Sequence, residues 1–300
     1  MPETSNSHPH RLGLEGCPPR QLIAEGATEL ASAGIENPRL DAETMLAVAC
    51  YSSRAAVICG LAEVNKIARE RYAAMIARRM RREPLSYILG HKEFYSLEFE
   101  VTPAVLIPRP ETETVVSAAL ELIQDRVYVH VCDLGTGSGA IALAIAANAP
   151  TAQLTATDVS MEALAIAHCN AARLKLASRV RFRLADWFKP IDSMGPLSRF
   201  DLIVSNPPYI SDDQIAGLAP EICRYEPRAA LAGGRDGLEL YRRIAPALMD
   251  HLEQHGSAIM EIGADQSAAV TEIMRDAGAT SIQVVRDLAG LPRAVVGCFQ

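Results

Sequence analysis

Residues 127–139 read VYVHVCDLGTGSG, and this stretch decides the fold because it predicts a buried strand that runs directly into a glycine-rich loop. An apolar, alanine-rich helix is predicted to follow over 138–148. A strand, a tight glycine turn and a helix N-terminus allow a ligand to approach the backbone closely. The sequence therefore predicts a ligand-binding loop at the carboxyl end of a strand.

Strands and helices alternate on both sides of this loop. Strands are predicted over 127–132, 152–157, 179–184, 200–205, 257–262, 281–286 and 293–299, and helices over 113–124, 138–148, 160–174, 236–254 and 264–277. This alternation predicts a parallel sheet covered on both faces, with six parallel connections. A short turn with Gly290 and Pro292 separates the last two strands, which are expected to form an antiparallel hairpin. The predicted fold class is α/β, with a seven-stranded, mostly parallel, Rossmann-like sheet that ends in this hairpin.

The loop favours a cationic nucleoside over a dinucleotide. Asp133 leads a D-x-G-x-G-x-G pattern, and a carboxylate is a poor neighbour for phosphate but a good one for an amino group. Asp158 ends the next strand, where a carboxylate can accept hydrogen bonds from ribose hydroxyls. Asp186 and Trp187 follow the third strand and suit an adenine ring, although Trp187 can also be interpreted as a cap on the core. S-adenosyl-L-methionine fits all of these features. The predicted cofactor contacts are Asp133, Gly135, Thr136, Gly137, Ser138, Gly139, Asp158, Asp186, Trp187 and Asn206.

The sequence Asn206-Pro207-Pro208-Tyr209 follows the predicted strand 200–205 at the same edge of the sheet. Two adjacent prolines remove two backbone donors and hold the chain extended, which fixes the carbonyl groups of Asn206 and Pro207 as acceptors. The Asn206 side-chain carbonyl and the Pro207 backbone carbonyl can each accept one N–H of a planar NH2 group while Tyr209 packs on its flat face, which orients the nitrogen for attack on a methyl group. A strand-ending turn is the structural alternative. The motif predicts methyl transfer to an amide or an aromatic amine, with Asn206, Pro207 and Tyr209 as catalytic residues.

The first third of the chain predicts a separate helical domain. Residues 1–18 are expected to form a flexible tail, 19–83 a helical substrate-recognition domain, 84–112 a linking β-hairpin and 113–300 the catalytic domain. The strands of that hairpin are expected within 93–107, which is rich in aromatic and β-branched residues.

A basic segment at 66–82 contains seven lysine and arginine residues on a predicted helix. It indicates either a solvated helix face or a docking surface for an acidic or RNA-rich partner. The whole chain is acidic, with 29 Lys and Arg against 36 Asp and Glu and a net charge of −7. This charge disfavours stable nucleic-acid binding as the main task, because such binding relies on neutralising phosphates.

The seven cysteines form no CxxC pair and no dense disulfide framework, so free thiols and no metal site are expected. His251 and His255 are four residues apart, but Leu252 stands where the zinc-hydrolase pattern needs Glu. His255 is therefore interpreted as the last turn of a helix capped by Gly256. Cys132 is interpreted as a small apolar residue in a buried strand. With no secretory leader and no membrane-spanning run in the sequence, we expect a cytoplasmic monomer.

The motifs Asp133–Gly139, Asp158, Asp186-Trp187 and Asn206–Tyr209 together resemble those of class I S-adenosylmethionine-dependent methyltransferases. Three further stretches make the resemblance more specific. They are YILG at 87–90 with EF at 93–94, LIPRPETE at 106–113 and YEPR at 225–228. With them, the chain resembles the protein-(glutamine-N5) methyltransferases that modify peptide chain release factors.

This resemblance implies a class-one release factor as protein substrate, no membrane partner, and S-adenosyl-L-homocysteine as product. The methyl acceptor would be the glutamine of the Gly-Gly-Gln motif, and its methylation would modulate translation termination. The resemblance implies that Asn206 and Pro207 hold the glutamine amide, that Tyr209 stacks on it, and that Pro208 and Arg109 line the approach.

Two alternatives remain open from the residues. An adenine-N6 methyltransferase of DNA or RNA shares the acceptor motif but needs a basic target-recognition region, and the segment 66–82 is the sole feature in its favour. A non-catalytic adaptor would need neither an intact glycine loop nor an intact NPPY motif. Replacing Asn206 by Ala separates an enzyme from an adaptor, because only an enzyme would lose its function.

Overall fold

The computed structural model describes residues 18–189 and 199–300. The chain divides into two compact units, Met1–Leu89 and Gly90–Gln300. The expected tail at 1–18 lies outside the described residues except for Pro18. Among the described residues, no helix is both long and apolar enough to span a bilayer.

The described part of the first unit is helical, which confirms the prediction for this region. Its helices are α1 (Pro19–Ser32), α2 (Pro38–Ala49), α3 (Arg54–Cys59), α4 (Lys66–Met80) and α5 (Leu85–Leu89). The Ser53 and Asn65 side chains cap α3 and α4 by accepting backbone N–H bonds. Leu30, Met45 and Tyr72 are fully buried in the core that these helices enclose.

The basic segment at 66–82 directs much of its charge into its own unit. Arg79 Nε lies 2.7 Å from Asp41 Oδ2, and both side chains are buried. Arg78 Nη2 lies 2.5 Å from Glu83 Oε1 at the end of the segment. These ion pairs reduce the positive charge that the segment can offer to another molecule.

The second unit begins with a two-stranded hairpin. Its strands are β1 (His91–Phe94) and β2 (Leu97–Glu100). Tyr95 and Ser96 form a two-residue turn with positive φ values of 51° and 59°. A two-residue turn needs positive φ at both positions to match the twist of the flanking strands. The hairpin lies earlier than the expected range 93–107. Strand pairing stops at Glu100, and the segment that follows contains Pro103 and Pro108, which lack the N–H that a strand ladder needs.

The rest of this unit is built on a seven-stranded sheet. Its strands are β3 (Val129–Leu134), β4 (Ala152–Asp158), β5 (Val180–Leu184), β6 (Phe200–Ser205), β7 (Leu252–Glu261), β8 (Ser281–Arg286) and β9 (Pro292–Cys298), in the order β5-β4-β3-β6-β7-β9-β8. Four pairings are parallel, which confirms the mostly parallel sheet. The terminal antiparallel hairpin is also confirmed. The expectation of six parallel connections is wrong: β9 lies between β7 and β8 and runs antiparallel to both, so the strands from β3 to β8 run the same way and are joined by five connections, and the sixth connection is the antiparallel β8–β9 hairpin.

Two hydrophobic cores cover opposite faces of the sheet. The helices of this unit are α6 (Glu113–Ile123), α7 (Ala140–Asn148), α8 (Met161–Arg173), α9 (Asp212–Ile215), α10 (Pro220–Tyr225), α11 (Glu239–Ile244), α12 (Leu248–His251) and α13 (Ser267–Asp276). Strand β3 serves both cores, because alternate side chains point to opposite faces: Val129 and Val131 join one, Cys132 and Leu134 the other. Burial raises the pKa of the Cys132 thiol well above its usual value, in keeping with a structural role.

The helix expected over 236–254 is interrupted. It consists of α11, a 3-10 turn at Ala245–Ala247 and α12. Pro246 lies in that turn and cannot donate the hydrogen bond that a continuous helix would need. Strand β7 then begins at Leu252, so the interpretation of His255 as a helix end capped by Gly256 is wrong. His255 lies within β7 with a positive φ of 63°.

The sheet order changes direction next to β3, which has β4 on one side and β6 on the other. A crevice forms at such a point, outside the carboxyl ends of the strands. The Ser205 hydroxyl donates a 2.7 Å hydrogen bond to the Leu134 carbonyl and ties β6 to β3 there. The glycine loop and the NPPY motif therefore leave the sheet side by side.

Candidate active site

A cavity of about 580 Å³ lies at this crevice. The predicted site residues in its walls are Arg109, Gly135, Thr136, Gly137, Ser138, Asp158, Asp186, Trp187, Asn206 and Pro208. They come from the ends of β3, β4, β5 and β6 and from the segment before α6. The structure thus brings together residues that are up to a hundred positions apart in the chain.

The glycine loop exposes backbone to this cavity. Gly135 and Gly137 have φ values of +73° and +56°, a region that side chains disfavour. A Cβ added at Gly135 would lie 3.6 Å from the Trp187 ring. The Trp187 indole therefore packs across the start of the glycine loop. One wall of the cavity is thus formed by this ring and the backbone of the loop.

Asp158 forms a rigid carboxylate in the wall of the cavity. Its Oδ2 accepts a 2.8 Å hydrogen bond from the Gly137 N–H, and its Oδ1 accepts a 2.9 Å bond from the Ser160 N–H. Burial raises the pKa of this carboxyl, while those backbone bonds lower it. Each oxygen keeps a lone pair that can accept another donor, such as a ribose hydroxyl.

Asp133 lies behind the loop instead of on the cavity surface. Its Oδ2 accepts hydrogen bonds from the Thr136 hydroxyl at 2.6 Å and from the Ala142 N–H at 3.2 Å, so it joins the loop to α7. Burial raises the pKa of Asp133 to about 7. Its Oδ1 is buried and has no hydrogen-bond partner among the described residues.

Two other predicted cofactor residues have additional structural partners. Gly139, with φ +82°, does not line the cavity, and an added Cβ would lie 3.0 Å from Leu143 and 3.3 Å from Ala167. It therefore allows α7 to pack closely on α8. Asp186 does line the cavity, but its half-exposed carboxylate forms an ion pair with Arg243 of α11.

A second cavity of about 260 Å³ adjoins the NPPY motif. Tyr209 lines it, whereas Asn206 and Arg109 line both cavities. Pro207 is buried and lines neither one. Asn206 is therefore at the junction of the two spaces.

The side chains of the motif are held by specific partners. Asn206 Nδ2 donates a 3.3 Å hydrogen bond to the Thr112 hydroxyl oxygen, which leaves Oδ1 as an acceptor. Gln266 Nε2 donates a 3.0 Å bond to the Tyr209 carbonyl. A Cβ at Gly237 would lie 2.4 Å from that carbonyl, so only glycine fits there. Burial raises the pKa of Tyr209 to about 12, which keeps the phenol neutral.

Arg109 is fixed by a long-range ion pair. Its Nη2 lies 2.5 Å from Glu226 Oε1, and Glu226 Oε2 accepts a 3.2 Å bond from the Ile107 N–H. This ion pair holds the stretches 106–113 and 225–228 together, so both stretches have a structural role.

Sequence reasoning missed several residues around these cavities, namely Thr112, Glu226, Glu261, Gln266 and Arg293. One signal was available for Glu261, which is a lone carboxylate at the end of the apolar strand SAIME. Thr112 and Glu226 lie within the stretches 106–113 and 225–228 that carry the family resemblance, whereas Gln266 and Arg293 reach the site through contacts that no local pattern marks.

Comparison with protein families matches most of the chain. Residues 21–90 match the PrmC N-terminal domain, and residues 115–234 match the methyltransferase small domain. The release factor glutamine methyltransferase of Moorella thermoacetica is 43% identical over 248 residues, which cover 82% of this chain and 86% of that protein. The protein of the same name from Koribacter versatilis is 42% identical over 279 residues, 93% of this chain and 97% of that one. The protein of the same name from Caulobacter vibrioides is 42% identical over 241 residues, which cover 79% of this chain and 81% of that protein.

Among solved structures, the hMettl16 catalytic domain in complex with the MAT2A 3'UTR hairpin 6 is similar in fold. The TM-score is 0.56 at 18% identity, with 75% of this chain and 82% of that chain covered. At this identity the likeness concerns the architecture of the sheet and its helices alone.

Proposed function

Because the chain belongs to the release factor glutamine methyltransferase family, we propose that it methylates the glutamine of the Gly-Gly-Gln motif in class-one peptide chain release factors. It is an S-adenosylmethionine-dependent methyltransferase. The proposed acceptor is the side-chain amide nitrogen, N5, and the proposed consequence is a modulation of translation termination. The position of Asn206 at the junction of the two cavities carries the proposal.

The residues of the larger cavity fit S-adenosyl-L-methionine. Gly135 and Gly137 allow close approach to the backbone, and Asp158 keeps lone pairs for two ribose hydroxyls. The Trp187 ring offers a stacking face for adenine, and the carboxylates of Asp158 and Asp186 suit a cationic ligand. When bound, the cofactor supplies an electrophilic methyl group on a sulfonium. Asp133 and Gly139 are assigned to shaping the loop, which is an indirect contribution to the same site.

The residues of the smaller cavity fit a side-chain amide. Asn206 Oδ1 faces away from Thr112 and can accept one N–H of the substrate NH2 group, and the Pro207 carbonyl is proposed to accept the other. Tyr209 is proposed to stack on the flat amide, with Pro208 and Arg109 along the approach. Two acceptors orient the nitrogen and favour the positive charge that builds on it during attack. The proton leaves the nitrogen after the C–N bond has formed.

The helical unit is proposed to recognise the release factor. This rests on the match of residues 21–90 to the PrmC N-terminal domain, which is separate from the methyltransferase match at residues 115–234. The ion pairs of Arg78 and Arg79 within this unit argue that recognition does not depend on the basic segment 66–82 as a whole.

The test is incubation of the purified protein with a release factor and S-adenosyl-L-methionine, followed by mass spectrometry of the tryptic peptide that carries Gly-Gly-Gln. We expect that peptide to gain one methyl group, and a release factor with Gly-Gly-Ala to gain none. Asn206→Ala should lose turnover and still bind S-adenosyl-L-homocysteine, measured through the fluorescence of Trp187, the single tryptophan of the chain. Methyl incorporation into DNA or RNA without modification of the peptide would overturn the proposal.

A further inference from the structure

Glu261 is a buried carboxylate beside the acceptor cavity. It ends β7, directly after Met260, which pairs with Ser205 at the end of β6. Asn206 follows Ser205, so Glu261 and Asn206 leave neighbouring strands at the same level. Glu261 lines the smaller cavity although only 1% of its surface is exposed, and its Oε2 has no hydrogen-bond partner among the described residues.

Side chains from separate segments face this carboxylate. Burial raises the pKa of Glu261 to about 7, while hydrogen bonding from the side chains of Thr112 and Tyr209 and the charge of Arg293 on β9 lower it. Glu111 adds a second negative charge, which raises it again. Tyr209 remains a neutral donor, because burial raises its own pKa to about 12.

The direction of the hydrogen bonds follows from the number of protons. An ionised carboxylate only accepts, and a threonine hydroxyl has one proton to donate. If Thr112 donates that proton to Glu261, its oxygen is left to accept, and Asn206 Nδ2 donates to it at 3.3 Å. The other amide atom, Asn206 Oδ1, must then point away from Thr112.

We propose that Glu261 is a positioning residue for methyl transfer, which through Thr112 fixes the amide orientation of Asn206 and at the same time holds the Tyr209 hydroxyl. This inference rests on the proposed function, since it concerns how the acceptor site is kept in one hydrogen-bonding state. In that state two of the three groups assigned to the substrate amide, the Asn206 side-chain carbonyl and the Tyr209 ring, are set by one carboxylate.

Protonation of Glu261 removes this fixed direction. A protonated carboxyl can donate to Thr112, whose own proton is then free to reach Asn206 Oδ1, and the Asn206 amide can rotate by half a turn. The rotated amide presents N–H groups to the substrate NH2 group and repels it. Turnover is therefore expected to fall as the pH decreases through the range near 7 where Glu261 binds its proton.

The experiment compares kcat, KM and the pH profile of release-factor methylation in the full-length protein and its variants. In Glu261→Gln, the amide can donate or accept, so kcat should fall roughly 10- to 100-fold with little change in the affinity for S-adenosyl-L-homocysteine. The decrease of kcat at acid pH should also be lost in this variant. Glu253→Gln, an exposed position on the same strand, is the matched control and should behave as the wild type.

Thr112 tests the connection without touching the carboxylate. Thr112→Val keeps the shape and removes the hydroxyl, so it should lower kcat to a similar extent, whereas Thr112→Ser should retain activity. The double variant E261Q/T112V should be no worse than the poorer single variant, because both interrupt the same chain of bonds.

Wild-type kcat and pH profile in Glu261→Gln would overturn the inference, as would fully additive losses in the double variant. If Glu261→Gln does not fold, the contrast between the Val and Ser variants at 112 decides. A wild-type protein that does not methylate the release factor refutes the proposed function instead, which keeps the two failures distinct.

Discussion

Replacing Asn170 by Leu should destabilise the catalytic unit strongly, because this side chain joins the β-hairpin to the glycine loop. Asn170 is fully buried on α8. Its Oδ1 accepts a 2.7 Å hydrogen bond from the Glu100 N–H, and its Nδ2 donates to the Glu100 carbonyl at 3.1 Å and to the Ser138 carbonyl at 2.9 Å. Leucine has the same number of side-chain heavy atoms with the same branching, and it loses all three bonds.

The expected loss is about 3–5 kcal/mol in the free energy of unfolding. A buried polar group left without a partner costs about 1–3 kcal/mol, and the Ser138 carbonyl, which is buried, should cost the most. The N–H and C=O groups of Glu100 are half-buried and can be partly rehydrated, so the total cost of the three lost bonds stays below three times the largest cost for a single group. With an m-value of about 2.5 kcal/mol/M, this loss lowers the urea midpoint by about 1–2 M.

Fluorescence of Trp187 is the suitable assay, because the single tryptophan reports on the catalytic unit alone. The matched control is Asn148→Ala, since the exposed Asn148 side chain makes one 2.9 Å bond to the Ala144 carbonyl at the end of α7. It should lower the midpoint by less than about 0.5 M. If Asn170→Leu lowers the midpoint no more than this control does, the three bonds do not carry the stability assigned to them.

Two further outcomes are expected. Gly139→Ala should destabilise the protein more than Gly290→Ala. Both glycines have a positive φ, which costs an alanine about 1–2 kcal/mol, but an added Cβ meets Leu143 and Ala167 only at position 139. Equal urea midpoints for the two variants would refute this packing role of Gly139. Asp133→Asn should reduce the pH dependence of stability. The pKa of Asp133 is about 7 in the folded protein and about 4 in the unfolded chain, so between these pH values the native state holds a proton that the unfolded chain releases. The stability of the wild type should therefore fall as the pH rises from about 4 to about 7. Parallel profiles of urea midpoint against pH for the two proteins would contradict this.

The predictions from sequence that were confirmed depend on local patterns. A buried apolar strand such as β3 and a glycine-rich turn each leave a signal within about a dozen residues. The NPPY motif leaves a signal of the same kind, although its role stays a prediction. Their meeting point could also be predicted, because the carboxyl ends of parallel strands share one edge of the sheet. The broken helix at 236–254 shows the limit of that approach, since Pro246 was present in the sequence and outweighed the helical pattern around it.

The contacts that fix the side chains were beyond such patterns. Arg109 and Glu226 are 117 residues apart, and Asn206 and Thr112 are 94 apart. No spacing rule connects such positions, because their proximity results from the order of the strands and the course of the loops. Asp133 illustrates the same limit: its place in the loop pattern is clear, yet the structure directs its carboxylate toward Thr136 and away from the cavity surface.

The charges around the smaller cavity bear on why one acceptor is favoured over another that shares the NPPY motif. A nucleobase extruded from a duplex is held largely by stacking between apolar or aromatic faces. Here four charged side chains, Glu111, Glu261, Arg109 and Arg293, line the cavity together with Tyr209, the one aromatic residue among its described lining residues, and with apolar residues, namely Leu106, Ile210, Ile222, Ala230 and Leu231. Such walls suit a peptide loop, whose backbone N–H and C=O groups need donors and acceptors when they leave water. The acceptor preference is therefore expected to depend on these four charged side chains, which come from separate parts of the chain, more than on the NPPY motif, to which we assign the transfer.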